Sequence, residues 1–191
     1  MRRTAAETRS HVLEVAQNLF YWKGIRATGV DLVATEAGIA PPTLYRMFAT
    51  KEDLVAAYVE RSDSDLRELV ATAAGSGPRD QILAIFDKVL AQISSGQFRG
   101  CAMMMTLAEF PDPDLPAHRN AVAAKSWIRE TITELTSQLG LSDPIEVADH
   151  LTLALEGLLA TGQALGPSGP ASRARHLAET ILAAASPRGA A

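Results

Sequence analysis

The residues of this sequence best suited to chemistry lie in a short stretch between positions 40 and 51. Pro41 and Pro42 favour the start of a helix, because proline lacks only an N–H that the first turn would leave unpaired. Leu44 and Phe48 form an i, i+4 pair that can face a core. This orientation directs a set of mostly polar positions outward: Pro41, Pro42, Thr43, Tyr45 and Arg46. A hydroxyl, a phenol and a guanidinium together suit contacts with phosphate oxygens and base edges.

Two short helices and a tight turn are predicted to position these side chains. Thr28 is predicted to cap the first helix, and Gly38-Ile39-Ala40 joins it to the second, which gives a helix-turn-helix. In such a unit the second helix enters the major groove of DNA. Lys51 is expected at the first position of the next helix, where a cation opposes the helix dipole and a docked phosphate would relieve the conflict. The alternative is a solvated lysine screened by the neighbouring acids.

Charge is distributed unevenly along the chain. Residues 1–51 carry seven basic and four acidic side chains, whereas the remainder carries 11 basic and 18 acidic ones. The first part therefore has a balance of +3 and the rest a balance of −7, within a net charge of −4. A basic head on an acidic body favours a polyanionic partner for the head alone, with chance fluctuation as the alternative.

The periodicity of apolar residues predicts an all-α chain of nine helices. Glycine and proline separate the helical patterns, as in Gly75-Ser76-Gly77-Pro78, and strand patterns are nearly absent. We expect a three-helix head over residues 1–50 and a six-helix bundle over residues 51–191.

Several classes of protein are disfavoured by what the sequence lacks. It has one cysteine, Cys101, so no intrachain disulfide can form, and we expect a buried structural thiol in preference to a redox sensor. No secretory segment and no run of about 20 uncharged apolar residues is present, so we expect a cytoplasmic protein without a membrane partner. No catalytic motif indicates an enzyme, and no cofactor is expected. The potential metal ligands have no recognised spacing, so no metal site is expected from His118, His150, His176, Asp149 and Glu156.

Residues 10–60 resemble the DNA-binding domain of the TetR family of transcriptional regulators. Four separated elements carry the resemblance: Gly24-Ile25-Arg26-Ala27-Thr28, Val33-Ala34-Thr35-Glu36-Ala37-Gly38-Ile39, Thr43-Leu44-Tyr45-Arg46-Met47-Phe48 and Thr50-Lys51-Glu52. Two positions depart from the family pattern, since many members have serine at position 40 and histidine or tyrosine at position 47, where this chain has Ala40 and Met47.

The resemblance implies a homodimer that binds a partly palindromic double-stranded operator. Thr28 would then cap its helix and touch phosphate, Pro42, Thr43 and Tyr45 would contact the groove and backbone, and Lys51 would bind phosphate. Arg46 is placed beside them because of its outward position and charge. Arg2, Arg3 and Arg9 would either reach neighbouring phosphates or form a disordered solubilising tail.

The acidic bundle is expected to hold the dimer interface and a ligand cavity. The eighth helix is apolar on nearly all sides, which predicts that it packs both inward and against another surface. The resemblance implies that the eighth and ninth helices pair with their symmetry mates in a four-helix bundle, with a fully buried monomer core as the alternative. The candidate interface residues are Leu151, Leu155, Leu158, Leu159, Leu177 and Ile181. The resemblance implies a small-molecule effector inside the bundle. Candidate lining residues, for which plain core is the alternative, are Phe86, Leu90, Met103, Met104, Leu107, Phe110 and Trp127.

These observations predict a ligand-responsive, sequence-specific regulator, and more specifically a repressor released from its operator by a small, mostly apolar molecule. The alternative is a small-molecule-binding helical dimer whose head does not bind DNA specifically.

Overall fold

The computed structural model describes residues 4–187, and within them the chain is helical without a β-strand. Nine α-helices and one 3-10 turn are formed, which confirms the predicted all-α fold. Their bounds are α1 Ala5–Lys23, α2 Val30–Glu36, α3 Pro41–Met47, α4 Lys51–Ala71, α5 Pro78–Ser94, α6 Ala102–Glu109, α7 Pro116–Ser137, α8 Pro144–Leu165, a 3-10 turn Pro170–Arg173 and α9 Ala174–Ala184.

Local sequence accounts for several of the helix ends. Thr4 and Glu7 form a capping box at the start of α1, with each side chain accepting a hydrogen bond from the other's backbone N–H. Asp143 caps α8 by accepting from the Glu146 N–H at 2.9 Å. α9 is preceded by a tighter 3-10 turn of four residues, which begins at Pro170. Short 3-10 turns are common at helix ends.

The chain forms two compact units that interleave along the sequence. The first comprises residues 1–64 and 102–123, and the second comprises residues 65–101 and 124–191. The predicted domain boundary after residue 50 therefore falls inside the first unit. α6 and the start of α7 belong to this unit although they follow the helix-turn-helix by more than fifty residues.

Each unit has its own apolar core. In the first, Phe20 and Tyr58 meet edge to face with ring centroids 5.5 Å apart. In the second, α5 packs against α8 and α9, and its buried side chains include Ile82 and Phe86. Arg67 stacks its guanidinium over the Trp127 ring at 4.3 Å.

Within residues 4–187, no helix combines the length and the apolar character needed to cross a bilayer.

Candidate nucleic-acid interface

α3 is anchored to the first unit by two apolar side chains. Leu44 is completely buried, and Phe48, at the C-terminal cap, is 3% exposed. The prediction that these two residues hold the helix is therefore confirmed. The N-cap is Ala40, which provides no side-chain hydrogen bond, so Pro41 and Pro42 define the start of the helix by their fixed φ alone.

The opposite side of α3 presents the side chains selected from the sequence. Tyr45 is 48% exposed, Arg46 is also exposed, and Thr43 is half-buried. Arg46 donates from Nη2 to Thr43 Oγ1 at 3.1 Å, so the guanidinium is held along the helix surface. The helix thus displays a planar cation and an aromatic hydroxyl from adjacent positions. Both groups suit recognition of phosphate and base edges.

Arg9 belongs to α1 and has a defined position. Its guanidinium lies 4.8 Å from the centroid of the Phe48 ring, and Ser10 beside it accepts a hydrogen bond from Arg61. Arg9 is therefore part of an ordered helix and not of a tail. Arg2 and Arg3 lie outside the described residues.

Lys51 is the first residue of α4, as expected. Thr50 and Asp53 cap this helix reciprocally, because each accepts a hydrogen bond from the other's backbone N–H at 3.0–3.1 Å. Lys51 Nζ donates to the Arg26 carbonyl at 3.4 Å. Burial lowers the pKa of Lys51 from its ordinary value, and the nearby carboxylates of Glu109 and Glu52 oppose that shift.

The capping role predicted for Thr28 is wrong. The N-cap of α2 is Gly29, and no side chain caps this helix. Thr28 is fully buried and donates from Oγ1 to the Gly24 carbonyl at 2.8 Å, so its hydroxyl closes the α1–α2 connection instead. An enclosed side chain is not available to a phosphate, and the structure therefore does not support the predicted contact.

Three of the six predicted dimer residues are enclosed by their own chain. Leu151, Leu155 and Leu158 are buried in the core of the second unit. They cannot also face a partner without unpacking that core, so the structure corrects the prediction for these three and favours the monomer-core alternative. Leu159 and Ile181 are partly buried, and Leu177 is exposed.

The seven candidate ligand residues are divided between the two units. Phe86, Leu90 and Trp127 belong to the core of the second unit or pack against it. The other four belong to the first unit, where Met103 and Phe110 are buried, Leu107 is half-buried and Met104 is exposed. A surface cavity of about 370 Å³ in the second unit is lined by none of the seven, and its walls include Leu141, Asp143, His150 and Ile181. The ligand assignment stays a prediction.

Two of the five side chains considered as metal ligands form salt bridges instead. Asp149 pairs with Arg129 at 2.6 Å, and Glu156 pairs with Lys125 at 2.7 Å. Across residues 4–187, no three His, Cys, Asp or Glu side chains are grouped as a metal site. Cys101 is half-buried, so the expectation of a buried thiol is not met.

Sequence reasoning missed Glu109, which contacts the α1–α2 connection. Its carboxylate accepts hydrogen bonds from the backbone N–H groups of Ile25 at 3.1 Å and Arg26 at 2.6 Å. These partners are separated by 84 and 83 positions, so no local spacing could have indicated the contact.

The helix-turn-helix and its exposed second helix define a DNA-binding transcription regulator. A family profile described as bacterial regulatory proteins of the tetR family matches residues 12–58. A crystal structure of a TetR-family transcriptional regulator from Streptomyces coelicolor is 34% identical and superposes with a TM-score of 0.88, over 93% of this chain and 95% of that one. The HTH-type transcriptional regulator YjdC of Escherichia coli is 27% identical over 91% of this chain and 93% of its own length.

A putative TetR regulator from Streptomyces avermitilis is also 27% identical, with a TM-score of 0.78 over 91% of this chain and 97% of that one. The chain belongs to the TetR family of transcriptional regulators. The regulators of this family bind DNA and act as dimers.

Proposed function

We propose that the chain is a sequence-specific repressor that a small, mostly apolar molecule releases from its operator. The observation that carries the DNA-binding half of this proposal is the exposed side of α3, where Tyr45, Arg46 and Thr43 face away from an anchored Leu44. In functional terms, residues 1–50 form the DNA-binding domain, to which Lys51 at the start of α4 adds a phosphate contact, and residues 51–191 supply dimerisation and ligand binding.

On DNA, α3 lies in the major groove and the start of α4 meets the backbone. Tyr45 and the Arg46–Thr43 pair provide the contacts with base edges, and Pro42 packs against the groove wall. Lys51 and the N-terminus of α4 bind a phosphate, since the ammonium group and the positive end of the helix dipole both attract an anion. Base contacts of this kind contribute about 1–3 kcal/mol each to discrimination.

The dimer is assigned to the exposed apolar residues of α8 and α9. Leu153 is 69% exposed and Leu177 is 48% exposed, so both leave substantial apolar area for a second copy to cover. Leu159 in α8 and Ile181 in α9 are partly buried. This assignment moves the interface on α8 from Leu155 and its buried neighbours to Leu153.

Release by an effector follows from linkage. A molecule that binds more tightly to a conformation with weak operator affinity shifts the protein towards that conformation. Operator binding is then weakened by the difference between the molecule's binding free energies for the two conformations, typically about 1–3 kcal/mol. The apolar character of the candidate lining residues, among them Phe86, Leu90 and Trp127, indicates an apolar effector.

The test begins with an operator selected from a random-sequence duplex pool by the wild-type protein. Tyr45→Ala combined with Lys51→Ala should weaken operator binding by at least tenfold, because a base contact worth about 1–3 kcal/mol and one phosphate contact are lost together. The slope of log affinity against log salt should also fall by about one. Trp22→Ala with Lys23→Ala is the matched control, since it removes an exposed aromatic residue and a lysine at the end of α1.

Two results would contradict the proposal. Equal weak binding to selected and scrambled duplexes would favour a head that does not bind DNA specifically. Operator binding that the Tyr45/Lys51 double variant retains would remove α3 as the recognition helix. For the effector, a panel of apolar molecules is titrated into the complex, and repressor release requires that at least one lowers operator affinity without unfolding the protein.

A further inference from the structure

Glu109, the last residue of α6, joins the α1–α2 connection through three hydrogen bonds. Its carboxylate accepts from the Ile25 N–H at 3.1 Å and from the Arg26 N–H at 2.6 Å. Arg26 Nε returns a bond to the Glu109 carbonyl at 2.8 Å. All of these residues belong to the first unit. Hydrogen bonds to an ionised carboxylate are roughly twice as strong as neutral ones, so this cluster holds the connection firmly.

The backbone of the connection is shaped to make this contact. Gly24 ends α1 with φ +94°, a conformation that other residues rarely adopt. The chain then turns so that two successive N–H groups, from Ile25 and Arg26, meet the same carboxylate. Helix stability does not account for the carboxylate, because an acid in the last turn of a helix opposes the helix dipole. The hydrogen bonds from the Ile25 and Arg26 N–H groups stabilise the carboxylate at this position.

The same connection also holds Lys51. The Arg26 N–H is fixed by Glu109, while the Arg26 carbonyl accepts from Lys51 Nζ at 3.4 Å. A displacement of the Glu109 carboxylate would therefore move the carbonyl that orients the ammonium group. Glu109 is also close enough to Lys51 for its charge to favour the protonated ammonium.

We propose that Glu109 is a positioning residue for operator binding, which sets the place of the Lys51 ammonium by fixing the α1–α2 connection through Ile25 and Arg26. This inference rests on the proposed function, in which Lys51 binds an operator phosphate. Glu109 itself does not touch DNA in this arrangement.

The direction of the effect separates positioning from simple charge. Glu109→Gln removes a negative charge near a DNA-binding lysine, and by electrostatics alone it should strengthen DNA binding. If Glu109 positions Lys51, the variant should instead weaken operator binding by about tenfold, because the two N–H groups are received by different carboxylate oxygens and glutamine replaces one of these acceptors with an NH₂ donor. Asp114→Asn is the matched control, since it makes the same change in net charge five residues away at an exposed site.

The salt dependence provides a readout that a loss of stability would not mimic. When Lys51 no longer meets its phosphate, the slope of log affinity against log salt should fall by about one. In the Lys51→Ala background, Glu109→Gln should have no further effect on affinity or slope. Glu109→Asp keeps the charge but retracts the carboxylate by one methylene, so it should also lower both the operator affinity and the salt slope. This variant provides the test if Glu109→Gln does not fold.

The outcomes distinguish this inference from the function on which it rests. If the wild-type protein does not discriminate its operator, the proposed function fails. If it does discriminate but Lys51→Ala leaves binding unchanged, the phosphate contact of Lys51 is refuted, and the positioning role of Glu109 is overturned with it. If Lys51→Ala weakens binding but folded Glu109→Gln and Glu109→Asp match Asp114→Asn in affinity and slope, the positioning role is overturned while the function stands. If Glu109→Gln weakens operator binding as much in the Lys51→Ala background as in the wild-type protein, the positioning role is also overturned.

Discussion

Leu153 and Leu155 are a matched pair for testing which side of α8 faces the core. They lie two positions apart in the same helix, yet Leu153 is 69% exposed and Leu155 is 3% exposed. Replacing each by alanine makes the same chemical change without adding charge. We expect Leu155→Ala to destabilise the fold of the chain and Leu153→Ala to weaken the dimer.

The size of the difference follows from burial. Leucine to alanine removes three carbon atoms, and burial contributes about 0.8 kcal/mol per carbon, which gives about 2.4 kcal/mol for a fully buried side chain. The cavity left at Leu155 raises the loss to about 3–4 kcal/mol. Only about a third of Leu153 is covered, so the same change there costs its own chain about 0.7 kcal/mol.

Urea denaturation followed by circular dichroism measures the first effect, and sedimentation measures the second. Both are run over a series of protein concentrations, because the stability of a dimer depends on concentration. If Leu155→Ala dissociated the dimer while leaving the unfolding free energy unchanged, the interface predicted from sequence would be restored. Equal losses of unfolding free energy in the two variants, with an unchanged dissociation constant, would refute the assignment of Leu153.

Three further predictions concern local interactions. Thr28→Val should lower the unfolding free energy by about 1–3 kcal/mol, since the buried Gly24 carbonyl loses its hydroxyl donor. Gly24→Ala should cost about 1–3 kcal/mol because of its φ of +94°, whereas the control Gly157→Ala, inside α8 with open space around it and no positive φ, should not lower the unfolding free energy in the same urea assay. The Arg129 guanidinium holds the pKa of Asp149 below its usual value, so the stability that distinguishes wild type from Asp149→Asn should be present at neutral pH and disappear as the pH falls below about 4.

The parts of the interface that depend on neighbours in sequence could be predicted. Two prolines and the i, i+4 pair of Leu44 and Phe48 determine where α3 begins and which side is anchored. The capping residue Thr50 similarly places Lys51 at the start of α4. Each of these features depends on residues within a few positions of one another, so the residue types alone are informative.

The capping of α2 could not be decided in this way. Both threonine and glycine are acceptable N-cap residues, and Thr28 and Gly29 are adjacent. The outcome depends on the Gly24 carbonyl, which offers the Thr28 hydroxyl a buried partner. The contacts of Glu109 could not be predicted for a different reason, because only tertiary packing brings Ile25 and Arg26 close to it.

The dimer prediction failed for Leu151, Leu155 and Leu158 because a helix that is apolar on nearly all sides does not reveal which side its own chain covers. Residues 151, 155 and 158 repeat at the spacing of one helical face, and that face packs into the core. Leu153 lies off this face and is exposed. Periodicity identified the helix, and only the packing distinguished the two sides.

The interleaving of the two units has a consequence for synthesis on the ribosome. The first unit includes residues 102–123, from which Glu109 bonds to Arg26 and Asn120 donates to Glu60 at 3.2 Å. These contacts cannot form when residue 64 has been added, because 59 residues remain to be translated before residue 123. At about 5–20 residues per second, this interval lasts about 3–12 s. The helix-turn-helix is thus synthesised several seconds before the segment that completes its packing. A fragment that ends at residue 50 or 64 would lack these contacts permanently.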